Sequence, residues 1–247
     1  MNERITWKAA FTAAFLLFSG MIATDGYASV AISPVRVELS DSHDKDVIRI
    51  TNQESSSRSY QVEVVEWSQT ENRREVYSPT EDIIAVPPLF TLDTGEEQVI
   101  RVGMLTEADA DTERSYRMFI TELERPDEQG SDASGVAMRI QIGVPVFIAP
   151  TALPTANLIY VETTQVGDQT FGRFRNSGNT HVKVTEIHYS GQGSDEKLTK
   201  TAVVYILAGQ TGLLPLPPAI TEDNQVGTVT IVTENLGAME YGYPFAL

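Results

Sequence analysis

The chain has 247 residues, no cysteine and a formal net charge of −16 at pH 7. The absence of cysteine excludes disulfides, thiolate metal sites and cysteine catalysis, so the fold must depend on its hydrophobic core. A protein this acidic repels nucleic acid and anionic lipid, and we expect neither as a partner.

The N-terminus has the pattern of a secretory signal peptide. Arg4 and Lys8 precede the apolar run Ala9–Phe18, and small residues follow up to Ala28. This run is too short to span a bilayer stably, and no later stretch is long and apolar enough to do so. We expect residues 1–28 to be removed and the mature chain to be exported without membrane insertion.

Short strand-like runs recur along the rest of the chain, and almost no segment has the periodicity of a long amphipathic helix. The runs are rich in Val, Ile, Thr and Tyr and are bounded by Gly, Asn, Asp, Ser or Pro, which is typical of β-sandwiches and barrels. They are predicted at 31–39, 46–52, 60–67, 99–104, 116–123, 157–162, 171–176, 181–189, 202–207 and 227–233.

A stiff connector divides these runs into two sets. Pro150 and Pro154 lie close together in a short segment, which restricts its flexibility. Each half has about 95–125 residues, a usual size for one sandwich. We therefore predict an all-β protein with two β-sandwich domains, residues 29–150 and 151–247.

The segment 136–148 alternates strictly between apolar positions and small or polar ones. Its apolar positions are Val136, Met138, Ile140, Ile142, Val144 and Val146. Pro145 cannot donate to a strand ladder, so this part of the segment belongs at a sheet edge or a bulge. A long edge strand with one apolar face is normally protected, and here it must be covered either within the fold or by a partner.

The sequence contains no pattern that predicts catalysis. The HExxH, CxxC and GxSxG motifs and a glycine-rich phosphate loop are absent. We expect the histidines, His43, His181 and His188, at the surface, with metal ligand and catalytic base as the alternatives. Acidic pairs are abundant because the whole chain is acidic, so their proximity carries almost no catalytic information. We predict a non-enzymatic protein without cofactor or metal.

Two arginines interrupt apolar strand-like runs. Arg36 lies in the run Ile32–Leu39, and Arg101 lies in the run Gln98–Val102. Each is either a solvated strand residue or a desolvated arginine paired with a carboxylate. The sequence alone favours the solvated position.

Several motifs resemble, in the same order, those of the PapD-like periplasmic pilus chaperones. Pro87-Pro88-Leu-Phe-Thr-Leu-Asp-Thr-Gly95, followed by Arg101, is similar to the family's proline pair, turn and strand arginine, although Thr94 stands where proline is commoner. The other resembling segments cover nearly the whole mature chain: Ser33–Arg36, Ile50–Asn52, Tyr116–Glu122, Phe147–Pro150 and Arg175–Thr180.

The resemblance implies two immunoglobulin-like sandwiches in an L or boomerang arrangement. It also implies a periplasmic chaperone that binds pilus subunits and works with an outer-membrane usher. Such subunits lack their last strand, and the chaperone adds its own edge strand to them. The segment 136–148 would be that strand. Its donor side chains would be Val136, Met138, Ile140, Ile142 and Val144.

The resemblance also implies roles for charged residues. Arg36 matches the arginine that binds the C-terminal carboxylate of the subunit. Arg101 and Glu122 match an interdomain salt-bridge network. Its third member aligns with Asn235, and Glu234 is the alternative for that position. The second cation of the cleft, a lysine in many members, aligns with Pro145, and this departure resembles the archaic or alternative branch of the family.

Two other classes of function remain as alternatives. A secreted adhesin or pilus subunit would be a single incomplete sandwich with a donor extension, whereas this chain has enough strands for two domains. A secreted hydrolase or carbohydrate-binding module would need a carboxylate pair in a cleft or a row of exposed aromatic residues. The tryptophans of the chain are Trp7, in the predicted leader, and Trp67.

Overall fold

The computed structural model describes residues 30–70, 74–123, 139–191, 197–216 and 227–243. These residues form 17 strands and no α-helix. None of them therefore belongs to a helix that is long and apolar enough to cross a membrane. The predicted signal peptide lies outside the described residues, as do Val136 and Met138.

The strands before Pro150 form two sheets. They are β1 (Val30–Ser33), β2 (Val37–Leu39), β3 (Lys45–Asn52), β4 (Arg58–Gln69), β5 (Glu75–Pro79), β6 (Ile83–Val86), β7 (Leu89–Leu92), β8 (Glu97–Met104), β9 (Arg114–Glu122) and β10 (Gln141–Ile148). One sheet has the order β1-β3-β8-β6. The other has the order β2-β10-β9-β4-β5, and β7 also pairs with β4.

Side chains from both of these sheets meet in one N-terminal core. In β3, Ile48 and Ile50 are fully buried and Arg49 between them is exposed, as the alternation of a strand requires. From the facing sheet, Ile120 of β9 and Val146 of β10 enter the same core. The two sheets therefore pack face to face as a sandwich.

The strands after Pro150 form a second pair of sheets. They are β11 (Leu158–Val166), β12 (Gln169–Asn176), β13 (Val182–Gly191), β14 (Lys197–Ile206), β15 (Thr211–Pro215), β16 (Gly227–Thr233) and β17 (Gly237–Tyr243). Their sheet orders are β11-β12-β15 and β14-β13-β16-β17. Phe174, Val184, Ile187 and Ile231 are fully buried in the C-terminal core between them.

Each sandwich has one fully buried asparagine at the end of a strand. Asn52 donates to the carbonyl oxygen of Leu92 over 3.1 Å, and Asn176 donates to that of Ile206 over 3.1 Å. In both cases the side-chain oxygen accepts the backbone amide hydrogen two residues further on. Because these bonds satisfy a buried amide, the two asparagines stabilise equivalent turns in the two sandwiches.

The predicted all-β fold with two sandwiches is confirmed, but the predicted strand 31–39 is wrong. That segment is divided between two sheets, since β1 pairs with β3 and β2 pairs with β10. Pro34 lies in the break, where its missing amide hydrogen interrupts a ladder. The domain boundary near Pro150 stays a prediction.

Candidate functional site: an open strand edge and an interdomain cleft

One edge of β10 is open along most of the strand. On one side, β10 pairs with β9 from Gln141 to Ile148. On the other side, it pairs with β2 only at Val146, Phe147 and Ile148. From Gln141 to Pro145, no other described strand covers this edge, which is about 17 Å long at roughly 3.3 Å per residue. The carbonyl oxygen of Gly143 accepts a long hydrogen bond of 3.5 Å from Nη1 of Arg117. A strand edge without a neighbouring strand is a template for an added strand.

The apolar side chains of β10 are buried in the N-terminal core at the end of the strand and become more exposed towards its start. Val144, Val146 and Ile148 are 0–2% exposed and belong to that core. Ile142 is half-buried and packs against the core, whereas Ile140 is half-buried outside it. The prediction of Val144 as a donor side chain is therefore wrong, because this side chain is already buried within its own domain.

Ile140, the residue before β10, also pairs with β9. The amide of Glu122 donates to the carbonyl oxygen of Ile140 over 2.9 Å, which extends the pairing with β9 beyond the end of the strand. Ile140 and Ile142 are thus the predicted donor residues that the structure places along the open edge. Val136 and Met138 lie outside the described residues.

Arg36 lies where the open edge ends. Val37 is aligned with Val146 in the parallel pair of β2 and β10, so Arg36 is at the level of Pro145. Arg36 itself belongs to the link between β1 and β2, and its side chain is 25% exposed. The guanidinium extends to the C-terminal domain, where Nη1 donates to Oε1 of Glu234 over 2.8 Å.

Four charged side chains form an ion cluster around Arg36 between the domains. Nε of Arg36 is 2.8 Å from Oε1 of Glu38, and Oε2 of Glu234 is 2.6 Å from Nζ of Lys183. The hydrogen bond from Lys183, together with Arg36, lowers the pKa of Glu234 below its usual value. The same hydrogen bond raises the pKa of Lys183. Two cations therefore hold one ionised carboxylate, that of Glu234, between them.

Lys183 is the functional candidate that sequence analysis missed. It lies on β13 between Val182 and Val184, which are both fully buried. A lysine within an apolar run was the only signal, and nothing in the sequence connects it with Arg36. The predicted position of a second cation, Pro145, carries no charge, whereas Lys183 of the C-terminal domain lines the same cavity as Arg36.

A buried histidine joins the two sandwiches. Nδ1 of His181 is 2.9 Å from Oε1 of Glu113, and the amide of His181 donates to the same oxygen over 3.0 Å. The imidazole stacks on the ring of Phe147 with 3.8 Å between centroids. Trp67 and Leu207 form a buried cluster with Phe147 at this junction. The expected surface position is therefore wrong for His181, which is 8% exposed.

Arg101, Glu122 and Asn235 do not form the predicted interdomain network. Glu234, the alternative third member, does contact the N-terminal domain, but its partner there is Arg36. Arg101 is exposed on β8 and makes no ion pair within the described chain, because its neighbours on the strand fill the core and alternation directs it to solvent. Glu122 lies buried in the opposite sheet, where Nε of Arg58 is 3.3 Å from its Oε1. Asn235 donates to the carbonyl oxygen of His181 over 2.6 Å, within the C-terminal domain.

The open edge and the cation pair together define the candidate site. An arginine fork and a lysine ammonium bind carboxylates through charge-assisted hydrogen bonds, and an unpaired strand edge binds an extended segment. In the part of the chain that the structure describes, no three or more histidine or acidic side chains are grouped to hold a metal ion. The arrangement is suited to an extended peptide that carries a carboxylate.

The fold and this site define a two-domain protein of immunoglobulin-like sandwiches in which the edge of β10 is open from Gln141 to Pro145. The chain belongs to the family of pili and flagellar-assembly chaperones, because the model of the PapD N-terminal domain matches residues 29–154, just over half of the chain. The predicted family is thereby confirmed. No curated protein matches the chain.

Solved structures of chaperones from pilus systems share the fold. A chain in the pre-assembly complex of CsuC with the tip adhesion subunit CsuE, from archaic Csu pili of Acinetobacter baumannii, has 17% identity and a TM-score of 0.65; the match covers 87% of this chain and 98% of that one. The complex of the SafA pilin with the SafB chaperone of Salmonella enterica gives 15% identity, a TM-score of 0.56 and coverage of 88% and 96%. The E. coli chaperone DraB has 16% identity and a TM-score of 0.54, and the match covers 87% of this chain and 96% of that one.

Proposed function

We propose that the mature chain is a periplasmic chaperone of the chaperone–usher pathway, which caps pilus subunits by adding its β10 edge to their incomplete sandwiches. The observation that carries the proposal is the open edge of β10, which starts beside Ile140 and ends at Arg36. The family supports pilus subunits as the class of partner. Two of the similar structures contain a chaperone together with a pilin or a tip subunit.

The position of Arg36 supports one direction for the added strand. A strand on the open edge must stop before Val37, because β2 occupies the edge from Val146 onwards. If the added strand runs parallel to β10, its C-terminus lies at Arg36, whereas an antiparallel strand would place its N-terminus there. A guanidinium binds a carboxylate and repels an amine, so Arg36 favours a parallel strand with a free C-terminus.

Alternate apolar side chains supply the affinity. Full burial of an Ile, Val or Met side chain contributes about 1.5–3 kcal/mol. Ile140 and Ile142, with the predicted donors Val136 and Met138, contribute up to about 6–12 kcal/mol in total. Association costs about 4–15 kcal/mol, so main-chain pairing must add to this contribution. The resulting complex is firm but reversible, as transfer of the subunit to an outer-membrane usher requires.

The remaining parts of the proposal concern processing, lineage and domain structure. Residues 1–28 are the signal peptide that directs the chain to the periplasm, and the domains meet near Pro150. The protein has no enzymatic role and needs no cofactor. An uncharged residue at position 145 and the likeness to the chain in the CsuC–CsuE complex support the archaic branch.

Two adjacent substitutions test the donor edge, because they add the same charge on opposite faces. Ile140→Asp places a carboxylate on the apolar face, outside the N-terminal core. Gln141→Asp places one on the exposed face. We expect Ile140→Asp to reduce subunit capture at least tenfold, since it loses about 1.5–3 kcal/mol of burial. Gln141→Asp should capture nearly as much as the wild type.

The measurement is the amount of pilus subunit that co-purifies with each variant from the periplasm. Circular dichroism and the fluorescence of Trp67 verify that each variant is folded. Val144→Asp is the folding control, because it puts a charge at a position that is 2% exposed and should unfold the N-terminal domain. Normal capture by a folded Ile140→Asp variant would show that the β10 edge is not the subunit-binding strand.

A further inference from the structure

We propose that Lys183 is the second cation of the carboxylate anchor and that Glu234 is a resident carboxylate, which the C-terminal carboxylate of a bound strand displaces. The inference rests on the proposed function for the nature of the ligand. It concerns Lys183 and Glu234 of the C-terminal domain, and strand addition to the β10 edge does not depend on these two residues.

The carboxylate of Glu234 occupies the position that a terminal carboxylate would need. One of its oxygens is 2.8 Å from Nη1 of Arg36, and the other is 2.6 Å from Nζ of Lys183. A terminal carboxylate has the same two oxygens and the same charge, so it can accept both contacts in the same way. Glu234 therefore marks the anion site and at the same time fills it.

Glu234 is placed so that it can leave. It lies between β16 and β17, and its backbone amide donates to the carbonyl oxygen of Lys183 over 2.9 Å, which holds the main chain beside β13. Its side chain, by contrast, is 39% exposed. Ion pairs at this exposure are weak, so rotation of the side chain into solvent breaks little. The backbone can stay in place while the carboxylate is exchanged.

Two adjoining cavities give a ligand room to enter. Arg36, Glu38, Lys183 and Glu234 line both of them. The first cavity continues along Val35, beside the end of the open edge. The second cavity is also lined by residues of the C-terminal domain, such as His181 and Asn235. A strand that follows the β10 edge would therefore reach the ion cluster through the first cavity.

The charge balance favours exchange of Glu234 over addition of a further carboxylate. The cluster contains two cations and two carboxylates, so an added carboxylate would give it a net negative charge and meet like charges at close range. Glu38 is less suited to be the displaced group, because its ion pair among the described residues is with Arg36 and not with Lys183, and its side chain is 61% exposed. Glu234 is the carboxylate that contacts both cations.

A strand peptide of alternating valine and serine, acetylated at its N-terminus and as long as the open edge, tests the exchange. It is prepared with a free and with an amidated C-terminus, and its affinity is measured by calorimetry. We expect Glu234→Gln to bind the free acid about five- to thirtyfold more tightly, because two exposed ion pairs no longer compete. Its affinity for the amide should not change.

Two further variants separate the roles of the charges. Lys183→Met should weaken binding of the free acid and leave binding of the amide as in the wild type. Glu38→Gln is the matched control, since it also removes a carboxylate from Arg36, and it should change the affinity for the acid less than Glu234→Gln does. Glu234→Asp, which keeps the charge on a shorter side chain, replaces the Gln variant if that variant does not fold and should bind the acid more tightly than the wild type.

The outcomes distinguish this inference from the proposed function. If the wild type prefers the acid to the amide and the Glu234 variants do not strengthen acid binding, Glu234 is not displaced and the inference is wrong. Unchanged acid binding by Lys183→Met would remove the lysine from the anchor. If neither peptide binds, or if Ile140→Asp leaves binding unaffected, the proposed strand addition itself fails.

Discussion

Replacing Glu113 with alanine should separate the two sandwiches before either unfolds. The carboxylate of Glu113 accepts hydrogen bonds from both Nδ1 and the amide of His181, and the two side chains are 5% and 10% exposed. Each buried donor left without an acceptor costs about 1–3 kcal/mol, so the two together cost about 2–6 kcal/mol. Breaking one side of a buried pair typically costs about 3–5 kcal/mol, which agrees.

Trp67 gives a direct signal for this junction. It is 2% exposed and packs with Phe147 and Leu207 between the sandwiches. Since Trp7 lies in the predicted leader, the fluorescence of the mature protein would come from Trp67. In urea titrations of Glu113→Ala, we expect the fluorescence change at a lower urea concentration than the loss of strand signal by circular dichroism. In the wild type, the fluorescence change and the loss of strand signal should occur at more similar urea concentrations.

Glu97→Ala is the matched control for this experiment. Glu97 pairs with Arg49 at 3.6 Å, and both side chains are about half exposed, so its loss should cost less than about 1 kcal/mol. If Glu113→Ala is no less stable than this control and its two signals coincide, the buried contact with His181 does not hold the sandwiches together.

Three further predictions follow from the site and the cores. Arg101→Ala should change the free energy of unfolding by less than about 0.5 kcal/mol, because Arg101 is exposed. Arg58→Ala should lower it by about 3–5 kcal/mol, because it removes the arginine that pairs with the buried Glu122. Equal effects of the two substitutions in chemical denaturation would contradict this prediction. Arg36→Ala should weaken binding of a free-acid strand peptide about ten- to a hundredfold, with partial rescue by lysine, and equal affinity of the wild type for the amidated peptide would show that no carboxylate is bound. Burial raises the pKa of Tyr60 to about 12, so the unfolded chain loses this proton near pH 10 while the folded chain retains it. The free energy of unfolding, measured as the urea midpoint, should therefore fall between pH 10 and 12. Tyr60→Phe should make this fall smaller, and an unchanged pH dependence would exclude Tyr60 as a cause.

Local patterns predicted most of the long strands but not the short ones. Alternation located β3, β4, β8 and β9 because each has one face in a core. The four-residue strands β6 and β7, on either side of Pro87 and Pro88, were missed, since so few residues cannot establish a period. The alternating segment 136–148 was predicted as one strand, and the strand that is described begins at Gln141.

Sequence analysis identified residues of the candidate site only where the pattern of a single segment was sufficient. Ile140, Ile142 and Arg36 stand out within their own runs of sequence. Lys183 and the contact of Glu113 with His181 were missed, because these contacts depend on how two domains pack and no local pattern encodes that packing. Arg101 was assigned to the network by resemblance alone, and the pleat of β8 directs it away from the partner it would need.

The division of the N-terminal segment between two sheets also leaves β10 uncovered by β2 from Gln141 to Pro145. If β2 were extended backwards along β10 from the pair of Val37 and Val146, Ser33 would face Ile142, and the apolar side chain of Ile32 would point to the opposite face. Pro34 would also interrupt the ladder in the middle of the extension. Val35 would lie beside Val144 in this extension, but the apolar match fails at Ser33 and the ladder fails at Pro34. Among the described residues, no other strand of the chain pairs with this part of the edge.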